Sequence, residues 1–340
     1  MPGSFVYPPR VDLAHTPTPL EPTARLSAKP GVDLWVKRDD LTGCALTGNK
    51  VRKLEFLFAE ALGGGANVVV TCGGEQSNHC RATALAAARL GLRCVLLLRR
   101  VDPTHRPLVE ANILLDCLAG AEIRWVSYAE YRHRQELMAA LAEELRQRGE
   151  VPYLIPEGGS NARGAFGYVR AVEELASQMG PQLCSWPGGE KVTLVYAAGS
   201  GGTGAGLQLG VRLFGLPIRP VGFCVCDDRD YFVRTISTIC EQACAEFALP
   251  VRVPPEEIEI VDGYVGRGYA LSHPDELALL RDVARSSGLV LDPVYTGKAF
   301  FGLCSELRRN PEQFGKRIIF LHSGGIFGLF PKASEIAPLL

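Results

Sequence analysis

The sequence predicts an α/β fold: two lobes of open, twisted, mostly parallel sheet. Two observations carry this. Short apolar runs alternate with longer stretches of helical periodicity, and glycine-rich segments follow directly on several of the apolar runs, where ligands of open α/β sheets bind. The runs are 34–37, 68–71, 94–98, 123–126, 153–155, 192–197, 220–225, 289–291 and 318–321. Between them, 77–90, 128–148, 164–179 and 274–287 carry Ala, Leu, Glu and Arg at helical spacing. That many strands with long crossovers exceeds one comfortable sheet, hence two lobes. The Gly-, Pro- and Trp-containing stretch 180–190 is expected to be a surface connection without regular structure.

At 340 residues and 47% apolar composition the chain can bury a large core, which excludes disorder. Its 36 basic residues nearly balance 37 acidic ones, and no run of Lys or Arg is long enough to follow a phosphate backbone or an anionic membrane. No basic stretch followed by a long apolar one opens the chain, and no segment reaches the roughly 20 apolar residues a spanning helix needs, so a cytoplasmic protein is expected. Eleven cysteines, mostly within apolar runs, argue for reduced thiols rather than a disulfide framework. The pairs Cys224/Cys226 and Cys240/Cys244 lack a second pair or matching histidines, so core packing is expected there and no metal.

After the run 192–197 comes Gly199-Ser200-Gly201-Gly202-Thr203-Gly204, with a helix following directly. Such a loop turns successive amides toward an anion, and the helix N-terminus adds a favourable field, so a phosphate is expected. Which phosphate stays open. Gly199, Gly201 and Gly204 also satisfy the dinucleotide spacing, with Asp227 or Asp228 some twenty residues on, so an NAD(P)-dependent oxidoreductase is a rival reading. The segment 43–50 resembles a nucleotide P-loop only by eye, because Asn49 separates glycine from lysine and Val51 replaces the metal-binding hydroxyl.

Thr47-Gly48-Asn49-Lys50 places a lysine at a helix start after a glycine turn, where the helix field disfavours an ammonium and favours the neutral, nucleophilic amine. A solvated helix-start lysine satisfies the same spacing. Its companions decide: Gly73-Gly74-Glu75-Gln76-Ser77-Asn78-His79, Gly158-Gly159-Ser160-Asn161, Asp292-Pro293-Val294-Tyr295-Thr296-Gly297-Lys298 and His322-Ser323-Gly324-Gly325. In order and spacing, from Pro17 to Gly325, they resemble the family of D-cysteine desulfhydrase and 1-aminocyclopropane-1-carboxylate deaminase, pyridoxal-phosphate enzymes of the tryptophan-synthase-β-like fold (fold type II).

The resemblance implies two three-layer αβα lobes: a large cofactor-binding domain from 1–48 and 162–340, and a small α/β domain over 49–161. It implies that Lys50 bonds the aldehyde of pyridoxal 5'-phosphate and removes the substrate's α-proton. Asn78 would meet the ring hydroxyl, and Gly199, Ser200, Gly201, Gly202, Thr203 and Gly204 would hold the phosphate. Thr296 and Ser323 are expected beside the cofactor ring. Ser77, Asn78, His79, Ser160 and Tyr295 are expected at the substrate, with Lys50, Ser77, Tyr295 and Tyr269 catalytic. Helix capping explains Ser77 as well, and a satisfied core hydroxyl explains Tyr269.

The deaminase-like members carry Glu after the Tyr position and Leu after the His of His-x-Gly-Gly, where this chain has Thr296 and Ser323. The resemblance therefore points to elimination from D-cysteine, giving pyruvate, sulfide and ammonia. An L-cysteate sulfo-lyase, with Arg81, Arg163 or Arg267 meeting the sulfonate, and an aminocyclopropane carboxylate deaminase are the alternatives. A protein that only stores or senses the cofactor is a further one. Related enzymes are commonly dimers, so a homodimer is expected.

Overall fold

The computed structural model describes residues 5–26, 32–102, 104, 108–179 and 191–340; the expected connection over 180–190 lies outside them. In chain order the main elements are β1 (Leu20–Pro22), β2 (Asp33–Lys37), α1 (Asn49–Gly63), β3 (Val68–Gly74), α2 (Asn78–Arg89), β4 (Arg93–Arg100), α3 (Ala111–Leu118), β5 (Glu122–Ser127), α4 (Tyr128–Tyr131), α5 (Arg134–Gln147), β6 (Pro152–Leu154) and α6 (Ala162–Met179). There follow β7 (Val192–Ala198), α7 (Gly202–Leu213), β8 (Ile218–Cys224), α8 (Arg229–Glu246), β9 (Glu259–Val261), α9 (Pro274–Ser287), α10 (Thr296–Arg309), β10 (Arg317–Leu321) and α11 (Ala333–Ile336).

The strands form two sheets. One has the order β1-β2-β10-β7-β8-β9 and is parallel except at β1; the other is parallel throughout with the order β5-β4-β3-β6. Both are covered on both faces, as parallel sheets require, and the alternation of side chains shows it. In the small sheet Val69, Leu96 and Leu98 pack against α1 and α2, while Val68, Val70, Val95 and Leu97 pack against α5. In the large sheet Leu194, Tyr196 and Ile319 face α6, α7 and α8, while Val195, Ile318 and Phe320 face α9 and α10. Each sheet is thus the middle of three layers, as the sequence predicts.

Some local expectations change. The run 289–291 is not a strand: Leu289 and Leu291 are buried, but they fill the core as an extended connection with no ladder beside them. Two short edge strands, β1 and β9, carry too few apolar residues to give a periodic signal. The predicted helix over 128–148 is interrupted between α4 and α5, because Ser127 caps α4 separately through a box with Glu130. Of the cysteine pairs, Cys224 and Cys240 are buried, and the thiols of Cys240 and Cys244 donate to the carbonyls of Ala205 and Val251. Among the described residues no helix is long and apolar enough to cross a membrane.

A buried polar network fixes α1 to the large sheet. The Arg52 guanidinium bonds both oxygens of Asp39, at 2.9 and 2.8 Å, and both of Glu174 on α6, at 2.9 and 3.0 Å. Asp39 also accepts the Tyr168 hydroxyl at 2.6 Å and the Thr18 hydroxyl at 2.8 Å. Lys37 pairs with the same glutamate. Burial would raise the Asp39 pKa, but Arg52 beside it wins and holds it below the usual carboxylate range.

Candidate active site

The carboxyl ends of β3, β4, β7, β8 and β10 open on a cavity of about 910 Å³ lined from both sheets. Lys50 reaches it from the first turn of α1. Gly48 caps that helix at φ 94°, a conformation L side chains rarely adopt, and its amide donates to the Thr42 hydroxyl at 2.8 Å. The Asn49 amide donates to the Ser323 carbonyl at 3.0 Å, and a Cβ on Gly324 would come within 2.9 Å of Gly48 Cα. Backbone therefore lies on backbone here, and the His322-to-Gly325 turn after β10 is locked to the start of α1.

The Lys50 amine donates to Asn49 Oδ1 at 3.0 Å and lies 5.7 Å from the centre of the Tyr295 ring; no carboxylate pairs with it among the described residues. Burial lowers its pKa to about 8, an effect Asp292 opposes and Arg81 reinforces. The amine therefore keeps a far larger neutral fraction near physiological pH than an ordinary lysine, although most of it is still protonated there. One helical turn on, Lys53 donates to the Gly158 carbonyl at 3.2 Å and to Ser160 Oγ at 3.3 Å, its pKa driven well down by burial and by Lys50.

Opposite lies the glycine loop between β7 and α7. Gly201 takes φ 83°, turning the chain into the helix. Ser160, expected at the substrate, lines the cavity and also reaches this loop: its Oγ donates to Ser200 Oγ at 2.9 Å and accepts the Gly202 amide at 3.2 Å. Asn49 Nδ2 donates to Thr203 Oγ1 at 3.2 Å. A Cβ on Gly202 would fall 2.6 Å from Ser160 Oγ, and one on Gly158 2.4 Å from Ser200 Oγ, so only bare backbone lets these segments close. Gly199, Gly201, Gly204, Ser200 and Thr203 line the cavity; Gly202 lies just behind them in the first turn of α7.

Ser77 does two things at once. It caps α2, accepting the Cys80 amide at 3.2 Å, and it lines the cavity. Asn78 also lines it, its Oδ1 accepting from Asn112 Nδ2 at 3.3 Å. His79 is buried, and burial followed by Lys50 and Lys53 pushes its pKa well below the ordinary value. Its Nε2 meets Thr71 Oγ1 at 2.9 Å; that hydroxyl spends its proton on the Ile155 carbonyl, so Nε2–H is the donor and the ring is neutral. It offers no charge to a carboxylate.

Tyr269 and Tyr295 join hydroxyl to hydroxyl at 2.7 Å. Burial raises both pKa values, that of Tyr269 to about 12, so both stay protonated. Thr296, expected beside the cofactor, is turned away. Its hydroxyl donates to the buried Asp292 carboxylate at 2.6 Å, which also accepts the amides of Val294, Tyr295 and Thr296 and so builds the start of α10. Ser323 does line the cavity. Of the three arginines considered for a second anion, Arg163 pairs with Glu60 at 2.9 Å, Arg267 is exposed away from the cavity lining, and Arg81 lines it but donates to the Thr47 carbonyl at 2.7 Å. Sequence reasoning missed Asn49, Lys53, Arg99 and Glu157. For Arg99 a signal existed, a charged pair closing an otherwise apolar strand.

The family model described as pyridoxal-phosphate dependent enzyme matches residues 11–324. The chain belongs to that family. Within these pyridoxal-phosphate enzymes it is 41% identical over 334 residues to a bifunctional D-cysteine desulfhydrase/1-aminocyclopropane-1-carboxylate deaminase of Arabidopsis thaliana, covering 96% of this chain and 81% of that one. It is 44% identical to a putative 1-aminocyclopropane-1-carboxylate deaminase of Thermotoga maritima, covering 96% and 99%. A crystal structure described as an ACC deaminase homologue superposes with a TM-score of 0.86 at 38% identity, covering 98% and 97%.

The residues present suit the cofactor. A lysine amine of lowered pKa faces a cradle of three hydroxyls, Ser160, Ser200 and Thr203, and glycine amides, a donor set made for a phosphate. The dinucleotide reading of this loop is set aside by the family match, and Asp228 is occupied in capping α8, accepting the Tyr231 amide at 2.7 Å.

The Lys50 pKa gives a test of its own. Only the neutral amine attacks an aldehyde, so capture of pyridoxal phosphate by stripped protein should quicken about tenfold per pH unit from 6 and level off near pH 8. Stopped-flow absorbance measures this; a rate still climbing steeply beyond pH 9.5 would show an unperturbed lysine.

Proposed function

We propose that this pyridoxal-phosphate enzyme is a β-eliminating lyase whose preferred substrate is D-cysteine, converted with water to pyruvate, sulfide and ammonia. The observation that carries the reading is that no carboxylate lines the cavity beside Ser323: among the described residues the acids lining it are Glu157 and Asp227, while Asp292, close behind Gly325, spends its oxygens on Thr296 and the amides that open α10. Glu157 is occupied by the Tyr131 hydroxyl at 2.8 Å and by Arg134 at 3.1 Å. A hydroxyl at the ring nitrogen rather than an acid favours elimination over ring opening, which demands the stronger electron withdrawal.

Pyridoxal phosphate supplies the electron sink that acidifies the bond to the substrate's α-hydrogen. Lys50 Nζ, its pKa lowered by burial to about 8, takes that proton in its neutral form. The α2 N-terminus, with Ser77 and Asn78, receives the α-carboxylate. Ser200, Thr203 and the α7 amides would hold the phosphate, assisted by Ser160, and Ser323, which lines the cavity, would offer its hydroxyl beside the ring. The Tyr269–Tyr295 pair, protonated throughout, offers a hydroxyl to the departing sulfur. The two sheets support the division into 1–48 with 162–340 and 49–161. Exposed Leu114 and Leu118 on α3, beside the segment Ile326–Gly328, support a homodimer.

A second reading, aminocyclopropane carboxylate deamination, is favoured by the similarity to proteins named as such deaminases. Side-by-side assay of the yellow protein on D-cysteine, L-cysteine, L-cysteate, D-serine and aminocyclopropane carboxylate decides. We expect pyruvate and sulfide from D-cysteine at the highest kcat/KM. 2-Oxobutyrate from the cyclopropane at a comparable rate would replace this reading with the second, and colourless protein indifferent to added cofactor would end both.

A further inference from the structure

We propose that Asn112 is a positioning residue for the cofactor: backed by Arg81, it fixes the side-chain amide of Asn78 so that Nδ2, and not Oδ1, is offered to the ring oxygen of pyridoxal phosphate. This rests on the placement of Asn78 at that oxygen and adds what decides its polarity.

An asparagine amide carries a donor at one end and an acceptor of nearly the same shape at the other, so Asn78 alone could face the cavity either way. The choice is made on α3. Asn112 lies fully buried in the first turn of that helix, and every polar atom of its side chain is engaged. Its Oδ1 accepts from Arg81 Nη1 at 3.4 Å, and its Nδ2 donates to the Gln76 carbonyl at 3.1 Å and to Asn78 Oδ1 at 3.3 Å. Two of these partners allow no exchange of oxygen and nitrogen, since a guanidinium only donates and a carbonyl only accepts. Asn112 therefore has one orientation, and the atom of Asn78 that meets its Nδ2 has to be oxygen. Asn78 lines the cavity with its own Nδ2 left without an acceptor among the described residues.

The arrangement is held from several sides. Ala111, just before Asn112, takes φ 50°, a strained conformation for a residue with a Cβ, and the Asn112 amide meets Gln76 Oε1 at 3.0 Å. Arg81 is itself pinned, donating to the Thr47 carbonyl at 2.7 Å and lying 4.8 Å from the centre of the Phe327 ring. A cation at the head of a chain of hydrogen bonds polarises each bond after it in the same sense, so Asn78 Nδ2–H is a stronger donor than a lone amide. Because Thr47 belongs to the turn that precedes Lys50, one buried arginine braces both the anchor and the ring-oxygen donor.

Two cofactors make the test. Stripped protein is titrated with pyridoxal 5'-phosphate and with 3-deoxypyridoxal 5'-phosphate, which lacks the ring oxygen, and protein fluorescence reports binding. Wild type, Asn112→Asp, Asn112→Ala, Asn78→Ala and the double variant Asn112→Asp/Asn78→Ala are compared, each checked for its melting temperature. The quantity read is the preference for the natural cofactor, a ratio of two dissociation constants in which general damage to the pocket cancels and any intrinsic difference between the cofactors is common to all variants. In Asn112→Asp the carboxylate only accepts, so Asn78 has to turn and set oxygen against oxygen; we expect the preference to fall about ten- to hundredfold. Asn112→Ala releases Asn78 without inverting it and should lower the preference about threefold to tenfold, which decides alone if Asn112→Asp does not fold. Asn78→Ala should lower it as well, with no further change in the double variant. A preference that keeps its wild-type value in the Asn112 variants, while both cofactors bind more weakly together, overturns the proposal and leaves both the lyase reading and the place of Asn78 standing. A preference untouched in Asn78→Ala takes Asn78 off the ring oxygen and overturns the proposal together with its premise.

Discussion

Lys50→Ala is expected to give a folded protein that no longer turns yellow and releases pyruvate at least about a thousandfold more slowly. The side chain bonds only Asn49 and opens onto the cavity, so its loss should move stability by less than about 1 kcal/mol. The cradle at Ser160, Ser200 and Thr203 is untouched, so pyridoxal phosphate should still bind, but reversibly, and wash out on dialysis. Absorption spectra before and after dialysis read this directly. A variant that keeps a dialysis-resistant visible band would show that another amine, with Lys53 one turn away the first suspect, holds the cofactor.

Arg52→Met is expected to be the most destabilising single change near the site, at about 3–5 kcal/mol, because it removes the ion-pair partner of the fully buried Asp39 and leaves only the more distant Lys37 to offset its charge. In the wild type the Asp39 and Glu174 pKa values are depressed, so the stability they contribute is present at neutral pH and lost as pH falls through and below the ordinary carboxylate range. Without Arg52, burial dominates at Asp39, and the fold prefers that carboxyl protonated. The gap between variant and wild type, read from urea denaturation, should therefore narrow between pH 7 and pH 4. A gap constant over that range would mean the network acts through packing alone. Because Arg52 follows Lys50 by two residues, weakened cofactor retention should accompany the loss.

The sequence was most legible where the backbone has few choices. Gly48 and Gly201 take positive φ, and the loops they form have to be written in glycine, so the turn before Lys50 and the loop before α7 stood out. The alternation of Val68 to Val70 and of Leu96 to Leu98 between two cores needs only the pleat, so both sheets were legible too. What was not legible depends on partners distant in sequence. Thr296 matches a motif position, but Asp292 captures its hydroxyl. Ser160 follows Gly158-Gly159, yet which side it serves is settled by where Ser200 comes to rest. The run 289–291 has the composition of a strand and lacks only a neighbour to pair with. Arg99 becomes a site feature only when tyrosines from α4 and from residue 269 close around it.

The place of β10 has a bearing on how the enzyme comes into being on the ribosome. β2 lies between β1 and β10, and Asp33 on β2 meets Arg317 on β10 across 284 residues of chain. Until that final strand has left the exit tunnel, one whole edge of β2 offers unpaired amides and carbonyls, and the turn that braces Gly48 does not exist. A chain cut before residue 317 is accordingly expected neither to brace the Gly48 turn nor to cover that edge of β2.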